Sequence, residues 1–134
     1  MLTDRIIVLG GSGFLGSAII VGLIRAGYTK VSNGDIIENT NVKSDYVYVD
    51  LLSLSSVKNG ITGFDTVINC VGQVTNPFNL CYDLNCTGIF NLVQIIRECD
   101  ARLIHISSVS VYGSGNTCTE LSKLNPETNY ATAK

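Results

Sequence analysis

Apolar and polar positions fall into alternating blocks along this chain. Arg5 to Leu9 (RIIVL) is a short β-branched run that ends in glycines, the pattern of a strand buried on both faces of a parallel sheet. Beyond the glycines, Leu15, Ile19 and Leu23 recur every four residues, which predicts a helix with one apolar stripe. That helix should close near Ala26-Gly27, where glycine can take the left-handed cap conformation. Lys30 to Asp35 is expected as a second strand, weakened in propensity by Ser32, Asn33 and Gly34. Tyr46 to Val49 predicts a third strand, Ser53 to Asn59 a short polar helix, and Thr66 to Val71 a fourth strand. A longer helix, about Tyr82 to Glu98, carries Leu84, Ile89, Leu92, Val93 and Ile96 on one side and leads into a fifth strand, Leu103 to Ser107. Gly113 to Asn129 is polar and turn-rich, and a further helix begins near Asn129.

Strands that alternate with helices must pair in parallel, and right-handed crossovers then place helices on both faces of one doubly wound sheet. The composition agrees. At 134 residues there is room for one domain, and 46% hydrophobic against 15% charged residues suits strands covered on both faces or a surface that awaits a partner. The net charge of -2, with no run of Lys and Arg, argues against a nucleic-acid partner. Five cysteines form no CxxC pair, and the single histidine, His105, lies in an apolar run where it reads as a packed or hydrogen-bonded residue. Neither a metal site nor a disulfide framework is suggested, and the odd cysteine count fits a reducing cytoplasm. Cys118, in the polar loop, is the cysteine expected to be exposed. Ile6 to Ile24 is uncharged between Arg5 and Arg25, as a membrane span might be, but Gly10, Gly11, Gly13, Gly16 and Gly22 interrupt it and Asp4 spoils a basic leader. No membrane role is expected.

The glycines carry the first chemistry. Gly10, Gly13 and Gly16 make a GxxGxxG spacing between an apolar strand and a helix that opens with Phe14 and Leu15. Gly10 permits the tight turn, Gly13 lets backbone N–H groups approach a pyrophosphate at the positive helix terminus, and Gly16 lets the helix pack closely on the strand. The spacing in this context predicts a dinucleotide site in a Rossmann-like doubly wound sheet of about five strands. Such a site calls for an acidic residue at the end of the second strand to accept from the adenosine ribose hydroxyls. Asp35 is the candidate; with no arginine placed to meet a 2′-phosphate, NAD is favoured over NADP. The other reading of Asp35 is a turn residue after Asn33-Gly34. Asp50, followed by Leu51 at the end of the third strand, could face the adenine.

Tyr130 and Lys134 make a YxxxK spacing, which on a helix puts phenol and ammonium on one face. A free tyrosine titrates near pH 10, so ionisation at neutral pH requires about 4 kcal/mol of preference for the phenolate. A lysine cation and a positively charged nicotinamide supply the right sign.

In order along the chain, GGSGFLG, VDLLS, NCVGQ, DLNCTGIFNLV, HISSVSVYG and YATAK resemble the extended short-chain dehydrogenase/reductases, the superfamily of nucleotide-sugar epimerases, dehydratases and reductases. The resemblance implies that Ser108 hydrogen-bonds the reacting sugar hydroxyl, Tyr130 moves its proton and Lys134 binds the nicotinamide ribose. It implies that Asn69 to Gln73, with Val71, Gly72 and Gln73 among them, line the cofactor and that Asn85 braces the site from the long helix. Ser107 is the neighbouring alternative to Ser108, and Tyr112, with Asn116 four residues on in place of lysine, reads as structural. Members that eliminate water carry an Asp-Glu pair just after the serine; Val109 and Ser110 stand there instead, which favours a 4-epimerase or keto-sugar reductase over a dehydratase. The implied partners are a nucleotide-sugar substrate and a second copy of the full-length protein. Residues 1–134 are expected to be an incomplete cofactor-binding domain whose substrate lobe lies outside this chain, since Lys134 falls inside a predicted helix. The competing reading is an NAD(H)-binding regulatory module without chemistry; the joint presence of Ser108, Tyr130 and Lys134 counts against it.

Overall fold

Strand β1 (Leu2–Leu9) forms the middle of the sheet, and its side chains divide the interior in two. Ile7 and Leu9 point into one core with Val49, Leu51, Val57, Ile61, Val67, Leu92, Ile95 and Ile96. Ile6 and Val8 point the other way, onto Ile20, Val31, Val42 and Ile68. The period of two along a strand makes this division, and each fully buried aliphatic side chain contributes about 1.5–3 kcal/mol. The computed structural model describes residues 2–73, 78–115 and 117–134. Asn116, four residues beyond Tyr112, lies outside them.

Helix α1 (Phe14–Arg25) covers one face; β2 (Tyr28–Asp35), β3 (Asp45–Tyr48), α2 (Leu54–Ile61), β4 (Thr66–Asn69) and β5 (Arg102–His105) complete the sheet and begin its other cover. Between β4 and β5 run α3 (Phe78–Tyr82), a π-helical turn (Asp83–Thr87) and α4 (Gly88–Cys99). A 3₁₀ turn (Val109–Tyr112) and α5 (Asn129–Ala133) follow β5. All strands are parallel in the order β3-β2-β1-β4-β5, so the direction of winding reverses between β1 and β4. Among the described residues no helix is long and apolar enough to cross a membrane.

The second strand is stronger than its propensity. Val31, Ser32, Asn33 and Gly34 are all buried, and a Cβ on Gly34 would come within 2.8 Å of Leu9 Cδ2 and 3.0 Å of Ile7 Cδ1, so a larger residue there would displace these core side chains. Tertiary packing, not local preference, selects these small residues. Helix α1 is rotated by one position from the expected stripe: Gly16 and Ile20 are buried, Ile19 and Leu23 half-buried, and Leu15 is exposed, because close contact of Gly16 with the Gly10 turn sets the seating. The long helix is not one regular helix. A π turn interrupts it at Asp83–Thr87, and α4 then buries Gly88, Leu92, Ile95 and Ile96 while Val93 turns outward. Strand β5 forms one edge and is only half covered, with Ile104 43% exposed.

Candidate functional site

At the reversal of winding, beyond the carboxyl ends of the strands, a cleft of about 610 Å³ opens between the β1–α1 turn and the loop after β4. Its first wall is glycine. Gly10, at φ +73°, donates from its backbone N–H to Gly34 O at 2.8 Å, and Gly13 N–H donates to Gly10 O at 3.0 Å. A methyl group at Gly10 would meet the backbone of Cys70 and Val71 at 3.1 Å, and one at Gly16 would strike the Gly10 carbonyl. Gly11, outside the GxxGxxG spacing, is as constrained: a Cβ there would collide with Asn33 Oδ1 and lie 2.8 Å from Val8 O. Gly10 and Gly13 line the cleft, while Gly16 sits buried behind them. Phe14, 95% exposed, and Leu15 stand at the start of α1 outside the lining.

Asp35 ends β2 and lines the same cleft. One of its carboxylate oxygens accepts from Ser12 N–H at 3.1 Å and the other from Ile36 N–H at 2.8 Å, so the acid is already oriented by the turn it faces. Asn33 Nδ2 donates to Ser12 Oγ at 3.0 Å and Asn39 Nδ2 to Ser12 O at 3.2 Å, which ties this corner together. In the adjoining hollow, lined by Ser12, Gly13, Asp35, Ile37, Glu38, Asn39 and Thr40, both charges are negative. Asp50 and Leu51 follow β3 on the far side; Asp50 Oδ1 accepts from Leu52 N–H at 2.9 Å, and Leu51 is 3% exposed. Ile36 and Tyr48 also line the cleft, and their only signal in the sequence is adjacency to strand ends.

Beyond β4, Val71 and Gly72 form the opposite wall. The strand stops at Asn69, short of the expected Val71, because the Asn69 side chain takes over the local bonding: Oδ1 accepts from Val71 N–H at 3.1 Å. Asn85, on the π turn, is buried and donates through Nδ2 to Gln73 O and Cys81 O, each at 2.8 Å. It braces the loop from behind, and Gly72 keeps that approach open, since a Cβ there would lie 3.0 Å from Asn85 Oδ1 and 3.5 Å from Lys134 Nζ.

Lys134, Tyr130 and Ser108 lie outside the lining of the cleft itself, with Lys134 Nζ close beside Gly72. Lys134 N–H donates to Tyr130 O at 3.1 Å, the one-turn relation expected of the YxxxK spacing. Its ammonium donates to Ile106 O at 2.7 Å; burial pulls its pKa below the ordinary lysine value, opposed by neighbouring Cys70 and Cys81. Thr128 caps the helix by accepting from Ala131 N–H at 3.0 Å, and α5 packs on the 3₁₀ turn that Ser108 caps. Ser108 Oγ accepts from Ser110 N–H at 3.2 Å and lies 2.8 Å from Ser110 Oγ; Ser107 and Val109 are exposed. All five cysteines are free, with Cys118 exposed.

The sequence of these parts matches a known family over residues 6–134, that of the NAD dependent epimerase/dehydratase proteins. The chain belongs to this family. UDP-glucose 4-epimerase 2 of Oryza sativa subsp. japonica is 27% identical over 96% of the chain and 38% of its own length. The sterol-4-alpha-carboxylate 3-dehydrogenase of Mus musculus is 32% identical over 81% of the chain and 31% of its own length. Among solved structures of similar fold, the UDP-glucose 4-epimerase of Thermus thermophilus, in complex with NAD, superposes with a TM-score of 0.86 at 25% identity, over 97% of the chain and 47% of that structure. The chain thus spans a third to a half of the length of these family relatives.

Proposed function

We propose that the chain supplies the NAD site and the acid–base residues of an enzyme that oxidises and reduces a hydroxyl-bearing carbon of a nucleotide-sugar, of 4-epimerase or keto-sugar reductase type. The observation that carries the reading is the cleft at the winding reversal, with a glycine cradle and Asp35 at one end and Lys134 beyond Gly72 at the other. The cradle suits a dinucleotide: Gly10 and Gly13 keep the approach to the start of α1 free of side chains. Asp35 receives the ribose hydroxyls, and the negative hollow beside it disfavours a 2′-phosphate. NAD, when bound, accepts and returns a hydride. Tyr130 moves the proton of the sugar hydroxyl, Ser108 orients that hydroxyl, and Lys134 binds the nicotinamide ribose. Ser110, hydrogen-bonded to Ser108 where an eliminating enzyme places an acid, favours oxidation and reduction over loss of water. The relatives act on UDP-glucose and on a sterol carboxylate by name; this reading takes the sugar. It places the remaining substrate residues outside this chain and takes the whole protein to be a cytoplasmic homodimer.

Titration with NADH and NADPH, followed by nicotinamide fluorescence, tests the cofactor assignment. NADH should saturate the chain more tightly than NADPH, and Asp35→Ala should weaken NADH about ten- to a hundredfold, the value of a charge-assisted hydrogen bond. Equal binding of both cofactors by wild type and variant would remove Asp35 from the site.

A further inference from the structure

We propose that His105 is a positioning residue of the cleft: through Asn69 it sets the backbone turn that presents Val71 and Gly72 to the glycine cradle. The inference rests on reading the cleft as a dinucleotide site. Asn69 and His105 are register partners at the ends of β4 and β5. Asn69 is fully buried, so both ends of its amide need partners. Its Oδ1 is used by Val71 N–H at 3.1 Å, which turns Nδ2 toward His105 Nδ1, 3.1 Å away. An amide nitrogen can only donate, so Nδ1 must accept and the ring must be neutral with its proton on Nε2.

The consequence reaches the cleft. Val71 N lies against Gly10, where a methyl would meet it at 3.1 Å, and Cys70 N–H donates to Leu9 O at 2.9 Å. The loop 70–73 is held between two buried amides, Asn69 at its start and Asn85, on Gln73 O, at its end. A ring carrying both protons would offer only donors to Asn69 Nδ2; the amide would have to flip, leaving Val71 N–H without its acceptor. Burial first and the Lys134 ammonium second lower the pKa of His105, which keeps it in the form the loop requires. The same strand end also orients Lys134, whose Nζ donates to Ile106 O.

Because the chain holds one histidine, imidazole ¹⁵N resonances report His105 alone. At pH 7 they should show an unprotonated Nδ1 and a protonated Nε2; the opposite tautomer, or a charged ring, overturns the proposal. His105→Leu should speed hydrogen exchange at the Val71 amide, leave that of Ile7 unchanged and weaken NADH about tenfold. His105→Asn, whose Oδ1 can stand where Nδ1 stood, should restore Val71 protection and most of the affinity. Equal Val71 exchange in wild type, Leu and Asn variants refutes the coupling. If the Leu variant does not fold, the wild-type tautomer and the Asn variant decide. Should wild type bind no NADH, the dinucleotide reading fails, while the tautomer and Val71 exchange still judge His105's hold on the loop.

Discussion

The β1–β2 end of the cleft is built mainly of backbone, whereas the β4–β5 end is built of side chains carried on short elements. At the first end, Gly10 N–H on Gly34 O, Gly13 N–H on Gly10 O and the backbone amides around Asp35 lock the turn, and the absence of side chains at Gly10, Gly11 and Gly16 makes the room. At the second, Ser108 heads a four-residue 3₁₀ turn, Tyr130 rides a five-residue helix, and Lys134 reaches across to the carbonyl of Ile106, just past the end of the half-exposed edge strand β5. Under the proposed function, the contrast separates tasks. A cradle for a phosphate needs fixed amides and empty space, which sterics alone provide. Proton transfer needs particular functional groups, and those are held in place only by packing between distant segments.

The comparison can be broken from either side. The largest effect is expected at the chemical end: in the full-length protein, Tyr130→Phe should lower turnover of the nucleotide-sugar by about 10²–10⁴, the usual contribution of a positioned proton-transfer group, with NADH affinity and the urea midpoint unchanged. Unaltered turnover would remove Tyr130 from the chemistry. Gly16→Val attacks the cradle, since its Cβ would drive into Gly10 O and lie 2.8 Å from Gly11 Cα. A loss of about 3 kcal/mol in urea unfolding should accompany loss of NADH binding; a stable, binding-competent variant would show that α1 can shift away from β1. The smallest effect concerns His105. Its folded pKa lies below the ordinary 6.5, so the neutral ring's stabilisation is complete above that value and is lost as the pH falls through 6.5 toward the folded pKa. Urea unfolding at pH 7.5 and 5.5 should show a fall in wild type that is reduced in His105→Asn, and equal falls would mean the ring titrates without consequence.

Much of the framework is legible in the amino-acid sequence. Five parallel strands, helices on both faces and the strand–glycine–helix start follow from apolar periodicity and turn residues, because these are local signals. The position of Asp35 at a strand end is legible too, although the strand itself looks weak: Ser32, Asn33 and Gly34 are poor strand formers whose burial only the facing residues explain. The π turn at Asp83–Thr87 leaves no mark in the apolar pattern, since one extra residue per turn shifts the stripe without erasing it. His105 reads as a packed residue in an apolar run, and the run says nothing of Asn69, a strand away.

The sequence by itself determined where backbone must come close and where a helix must begin, because glycine spacing and apolar period act over a few residues. It also offered the candidates for the proposed chemistry, Ser108, Tyr130 and Lys134. Only the tertiary structure decided that Asp35 is oriented by Ser12, that Asn85 supports Gln73, that Lys134 rests on Ile106, and that the Asn69 amide meets His105. Each of these joins segments far apart in the chain, and a buried polar group takes whatever partner the folded packing brings within hydrogen-bonding distance.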